Sequence, residues 1–209
     1  MPRAPRANLC DVPCHLVHRG NNRQAVFFET ADYCRFQIEL ADAARRHACE
    51  LHAYVLMTNH VHLLATQRQP DGIVRMMQRL AGRHATHINR TRARTGTVWE
   101  GRYHASIVES DRHFFERKRY IGLNPVRASV VSNPADYRWS SFAHNALGRP
   151  DACITEHELY RRLGADSDAR RQAYRVIVAE VMSDVSLAEI RLALRQNRPL
   201  GSELALTLP

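Results

Sequence analysis

Two histidines, His60 and His62, stand one valine apart in "MTNHVHLLATQ" (57–67). If this apolar run is a strand, side chains two positions apart share a face. The two imidazoles then project together and can bind one metal ion, each through one nitrogen. Val61, Leu63 and Ala65 point the other way, into a core. Farther along, Tyr120 and Asn124 in "RYIGLN" are four apart, so on a helix they share a face. An amide oxygen suits a hard cation, and a phenol oxygen can attack phosphorus. Free tyrosine ionises only near pH ~10, which makes it a weak nucleophile at neutral pH. Arg117, Lys118 and Arg119 just before it, together with a metal-bound phosphate, would favour its phenolate.

Each motif also has an ordinary reading. Paired histidines occur on solvated sheet faces, and a tyrosine on an amphipathic helix often only packs. Each chemical reading draws strength from the other. Two other His-x-His chemistries are disfavoured. A His-x-His-x-Asp-His hydrolase needs Asp and His where Leu64 and Ala65 stand. Barrel amidohydrolases need about 250 residues and eight βα repeats. Cys10, Cys14, His15 and His18 follow no common zinc spacing, and the two histidines fall in a strand-like stretch.

The elements that must hold these residues follow from periodicity and turn signals. "CHLVHRGNN" (14–22) has strand character ending in a turn. Tyr33, Phe36, Leu40 and Ala44 recur at helical spacing from Thr30, a plausible N-cap, to about residue 48. Strands over 51–57 and 60–66, joined at Thr58 and Asn59, make a hairpin. Ile73, Met77, Leu80, His84 and Ile88 mark one face of a long helix over about 71–92. Arg75, Arg79 and Arg83 form a basic stripe on another face, which can be a solvated surface or a phosphate contact. A strand over 103–109 precedes a helix from Asp111 that stops at Pro125. Beyond the aromatic "YRWSSF" (137–142), capping-box patterns at Thr155/Glu158 and Ser186/Glu189 point to short helices at about 156–163, 168–182 and 187–196. This order predicts an α+β fold: an antiparallel sheet of the split βαβ kind with helices on one face, plus a helical C-terminal tail.

Composition narrows the partner. The 209 residues carry a net charge of +9, and of 30 basic residues only Lys118 is a lysine. Arginine forks bind phosphate bidentately, so the balance favours a polyanion such as nucleic acid. No apolar run nears the ~18–20 residues that span a bilayer, and the N-terminus lacks the apolar stretch of a signal peptide. Five scattered cysteines fit a reducing compartment. These features lead us to expect a soluble cytoplasmic, nucleoid-associated protein with no membrane partner, leaving monomer and homodimer open.

"NHVHLL" followed by "RYIGLNPVRASVV" resembles the HUH single-tyrosine transposases, the IS200-like group, and within it the REP-associated tyrosine transposases. "VHRGNNRQAVF" (17–27), "VWEGRYHAS" (98–106) and "YRWSSF" (137–142) resemble the same branch. The likeness covers residues 13–145, leaving a loose arm at 1–12 and a helical, basic extension at 146–209. It implies a ferredoxin-like antiparallel sheet with the two histidines on a central strand. It implies Mg²⁺ or Mn²⁺ held by His60, His62 and Asn124, where some relatives carry glutamine, and Tyr120 as the catalytic nucleophile. The implied reaction cuts and rejoins single-stranded DNA beside hairpins such as REP palindromes, through a 5′-phosphotyrosine. Candidate DNA contacts are Arg19, Arg75, Arg79, Arg83, Arg102 and Arg127 for phosphate, and Trp99, Tyr103 and Trp139 for base stacking. The alternatives are a domesticated hairpin-binding regulator with little or no cleavage, and an unrelated metal-dependent hydrolase that uses water.

Overall fold

The structure, a computed structural model, describes residues 9–180 and 182–196. The expected arm up to residue 8 and the extension beyond residue 196 lie outside the described residues.

Four strands form one sheet: β1 (Cys14–Arg19), β2 (Cys49–Met57), β3 (His60–Gln67) and β4 (His104–Ile107). Their order is β2-β3-β1-β4, and every neighbouring pair is antiparallel. The helices α1 (Thr30–Arg46) and α2 (Gly72–Thr91) make the two crossovers. This is the ferredoxin-like α+β sheet that the sequence predicts. The strand alternation of β3 divides its side chains between two cores. Val61, Leu63 and Ala65 pack with Leu16 against Phe36, Leu40, Met77 and Leu80 of α1 and α2. Leu64 joins Val17 and Val55 on the opposite face. That second face was expected to be free of helices. Its apolar stripe is instead covered by α3 (Asp111–Gly122) and α8 (Asp184–Gln196), through Phe114, Ile121, Ile190 and Leu194.

Helix ends depart from the sequence reading where a neighbouring side chain competes for the cap. Glu29, rather than Thr30, caps α1 in a capping box with Asp32. Burial pushes the Asp32 carboxyl up, but the Phe28 amide, His87 and the Glu29 amide outweigh it and lower its pKa. The helix expected to reach Pro125 ends at Gly122, and a short helix α4 (Asn124–Arg127) restarts after Leu123. Pro125 has no N–H to continue the ladder. His157 caps the short helix α6 (Glu158–Arg161), so the Thr155/Glu158 box does not form. Likewise α8 begins at Asp184, ahead of Ser186.

The hairpin closes at Thr58 and Asn59, with Met57 opposite His60. Gly20 supports that turn, its N–H donating to the Asn59 carbonyl (2.8 Å). A Cβ on Gly20 would collide with the Gln24 carbonyl and come 2.8 Å from Val26 Cγ1. The outer edge of β2 is also occupied. The Leu56 N–H donates to the Trp139 carbonyl (2.9 Å), the Ser141 N–H to the Tyr54 carbonyl (3.0 Å), and the Thr155 N–H to the Leu51 carbonyl (2.7 Å).

Three consecutive cations of α3 clasp the C-terminal helices. The buried Arg117 donates to the Ile190 carbonyl of α8 (3.3 Å) and to Ser106 of β4 (3.3 Å). Lys118 is fully buried among rings, with Nζ 4.2 Å from the Tyr160 centroid and 5.4 Å from that of Tyr174 on α7 (Ser167–Ala179). Arg119 donates to the Ile177 carbonyl (3.0 Å) and pairs with Glu180 (3.3 Å). The Lys118 ammonium has no hydrogen-bond acceptor among the described residues. Burial lowers its pKa to about 7, with Glu156 raising it in part. Below that value lysine is charged in both states and the fold bears the cost of burying it. As pH rises from about 7 toward the free-lysine value of ~10.4, only the unfolded chain stays protonated, so stability rises by up to about 1.4 kcal/mol per unit. Lys118→Met removes this dependence. Urea unfolding should show the variant's advantage over wild type as greatest below pH 7 and shrinking as the medium becomes alkaline.

No helix among the described residues is long and apolar enough to cross a membrane.

Candidate active site

The sheet face under α3 and α8 presents His60 and His62 from β3, His15, Val17 and Arg19 from β1, and His104 from β4. In register, Val17 lies opposite both His62 and His104, and Arg19 lies opposite His60. A cavity of about 730 Å³ opens over this face. His60, His62, His104, Tyr120 and Asn124 line it, together with Arg19, Arg23, Arg127 and Arg191. None of its lining residues among the described ones is acidic. Four guanidinium groups without a carboxylate make a strongly anion-attracting hollow.

The two imidazoles meet edge to face, with centroids 5.0 Å apart. Asn59 fixes the tautomer of His60. Its Nδ2 donates to the Arg23 carbonyl (3.0 Å), which turns its Oδ1 toward His60 Nδ1 at 2.6 Å. His60 Nδ1 therefore carries the proton, and Nε2 keeps its lone pair. The Nδ1 of His62 meets the Nε2 of His15 at 2.9 Å. Both rings are neutral, the form that ligates cations. Burial, then Arg19, lowers the His60 pKa to about 4. Burial, then His60, His15 and the nearby arginines, holds His62 well below the usual histidine range.

Tyr120 stands over the pair. Its ring centroid is 5.7 Å from that of His62 and 5.8 Å from that of His15. The Arg127 guanidinium lies 4.0 Å from the Tyr120 ring centroid, and its Nη2 donates to the Tyr120 carbonyl (2.6 Å). Its Nη1 is buried without a hydrogen-bond acceptor among the described residues. Arg127, and not Lys118 or Arg119, is thus the cation stacked on the tyrosine. Tyr120 and Asn124 were expected on one continuous helix. The break at Leu123 separates them, yet both still line the cavity.

The donor set fits a divalent ion. His60 and His62 each have Nδ1 engaged, and their Nε2 atoms have no partner among the described residues. The Asn124 carboxamide adds an oxygen donor beside them.

The other candidates divide. Arg19 and Arg127 line the cavity. Arg75, Arg79 and Arg83 lie across the sheet in a depression on the α1–α2 surface, with Arg35 and Arg90. There Arg79 pairs with Asp42 (3.2 Å) and Arg83 with Glu39. Arg102 is exposed on the loop before β4. The three stacking candidates are packed instead. Trp99 is 7% exposed, stacks on His18 (4.3 Å), and its indole N–H donates to the Ala81 carbonyl (3.1 Å). Tyr103 is 7% exposed in the α1–α2 core. Trp139 is sandwiched between Tyr33 (4.6 Å) and Arg138 (4.7 Å). Each of the three packs against other side chains of the protein. Sequence reasoning weighed His15 only as part of a zinc cluster and Asn59 only as a turn residue, and did not single out His104, Arg23 or Arg191 for the site. Strand alternation on β1, which puts His15 two residues from Val17 and four from Arg19, was the available signal for His15.

The fold is that of a transposase with known structure. A REP-associated tyrosine transposase solved bound to a REP hairpin superposes with a TM-score of 0.57 at 16% identity, covering 75% of this chain and 93% of that one. A transposase-like protein of Deinococcus radiodurans R1 aligns with a TM-score of 0.39 at 23% identity, over 54% of this chain and 91% of that one. Residues 8–124 match the profile of the family described as "Transposase IS200 like", more than half of the 209 residues. The chain belongs to the IS200-like transposase family. Among curated proteins it finds no match.

Proposed function

We propose that the protein cuts and rejoins single-stranded DNA beside hairpins, with Tyr120 as nucleophile and a divalent metal held by His60, His62 and Asn124. One observation carries the reading: two neutral imidazoles, a carboxamide and a phenol share one cavity whose charged groups are all arginines. Bound there, Mg²⁺ or Mn²⁺ would polarise and orient a non-bridging oxygen of the scissile phosphate. Mixed nitrogen and oxygen donors favour Mn²⁺ of the two.

Tyr120 Oη attacks phosphorus and loses its proton to solvent. A phosphotyrosine bond forms to the 5′ end, the bond to O3′ breaks, and a free 3′-OH is released. The link conserves the phosphodiester, so attack by another 3′-OH rejoins strands and frees the phenol. Arg127 stacks on the phenol and keeps its buried Nη1 for a phosphate oxygen. Arg19, Arg23 and Arg191 draw the DNA backbone into the cavity. Arg75 and its neighbours across the sheet offer a second surface for the duplex stem.

The test is incubation with end-labelled single-stranded hairpins and Mn²⁺, followed by denaturing electrophoresis. A protein–DNA adduct on the 5′ side supports the proposal. Hairpin binding without any adduct favours the regulator reading. Arg127→Ala should lower single-turnover adduct formation about 10–100-fold, the scale of one charged hydrogen bond. Arg127→Lys should recover little, since an ammonium cannot reproduce the stacked fork.

A further inference from the structure

We propose that His15 is a positioning residue: it accepts a hydrogen bond from His62 Nδ1 and thereby holds His62 Nε2 unprotonated and aimed at the metal position. The inference rests on the metal reading above and deepens it.

The starting point is a buried polar group that nothing else explains. His15 is 0% exposed, on an inner strand, beside His62 and Tyr120 and within the field of Arg117 and Arg127. Its only hydrogen bond among the described residues is the 2.9 Å contact from Nε2 to His62 Nδ1. Its own Nδ1 is buried with no hydrogen-bond partner among the described residues. An orphaned buried donor or acceptor costs about 1–3 kcal/mol, so an imidazole in this place calls for a reason.

The contact admits two proton arrangements. If His15 donates, His62 carries its proton on Nε2, and that nitrogen cannot ligate. If His62 donates, its Nε2 lone pair is free. The neighbouring ligand shows which arrangement suits a shared ion. Asn59 forces His60 into the Nδ1–H tautomer with Nε2 free. His15 stands in the same relation to His62 as Asn59 does to His60. Each ligating ring has its Nδ1 engaged by an acceptor, so the two Nε2 atoms serve one ion. Outer partners of this kind set both tautomer and ring orientation of metal-bound histidines. His15 also packs against both rings, 5.1 Å from that of His62 and edge-on to the phenol at 5.8 Å.

Two measurements test this. The first is a long-range ¹H–¹⁵N correlation spectrum of the metal-free wild-type protein. His62 should be protonated at Nδ1 and bare at Nε2. A proton on His62 Nε2 overturns the inference. The second is titration with Co²⁺, whose visible spectrum reports coordination and which imidazoles hold more tightly than Mn²⁺. His15→Leu should weaken Co²⁺ binding about 10–100-fold. His15→Gln, which restores an acceptor, should recover most of it. Wild-type affinity in His15→Leu sinks the inference and leaves the metal reading intact. Failure of the wild type itself to bind Co²⁺ removes both. If His15→Leu does not fold, the wild-type spectrum decides alone.

Discussion

Tyr120→Phe should abolish the covalent protein–DNA adduct while leaving the fold, metal affinity and hairpin binding in place. The ring is 7% exposed and held by its contacts with His15, His62 and Arg127. Phenylalanine keeps that ring. The hydroxyl interacts with the Arg127 guanidinium, and the ring stacking that remains in the variant keeps that arginine in place. Strand scission should fall on the order of 10⁴-fold or more, the scale seen when a covalent nucleophile is lost. Denaturing gels of labelled hairpin DNA read the adduct, filter binding the hairpin affinity, circular dichroism the fold and Co²⁺ titration the metal affinity. Strand cleavage that persists in Tyr120→Phe would point to water as nucleophile, and the tyrosine mechanism would be wrong.

His60→Ala is expected to be the next most damaging change. It removes one imidazole from the metal position and should lower metal-dependent adduct formation by roughly 10³-fold, beyond the 10–100-fold typical of outer partners. His60 sits at the start of β3 and is half-buried, so the fold tolerates its truncation. His62→Ala is a less clean experiment. His62 is only 4% exposed on an inner strand, and its loss also strips His15 of its hydrogen bond. Raising Mn²⁺ should partly rescue His60→Ala, because the remaining donors still bind weakly. Adduct formation in EDTA by the wild type would contradict the metal's role.

The β2–β3 hairpin and both long helices were legible because their patterns are local. Period-two alternation put His60 and His62 on one face, and the observed register keeps them there. The remainder depended on partners far along the chain. His15 meets His62 across 47 positions, through a strand pairing that no periodicity reveals. The arginine stripe of α2 was visible, but Asp42 and Glu39 of α1, which occupy Arg79 and Arg83, were not. Trp99, Tyr103 and Trp139 looked like open platforms because aromatic residues serve surfaces and cores alike. Composition could not show that the protein's own side chains pack against all three. Arg117, Lys118 and Arg119 read as helpers of the phenol, yet two of them turn to α6 and α7 instead.

The segment that lies along β2 has a bearing on how much chain makes a workable unit. β2 is nine residues long, and without residues 137–155 its outer side would present bare N–H and C=O groups. Such a border invites sheet-to-sheet sticking between molecules. The family-matched span, residues 8–124, includes both histidines and the tyrosine but stops short of this guard. It also lacks Tyr160, Tyr174 and Ile190, which cover the charged flank of the tyrosine helix. The two histidines, Tyr120 and Asn124 therefore fit within the shorter span, but Arg127 and a self-sufficient, non-sticky body do not.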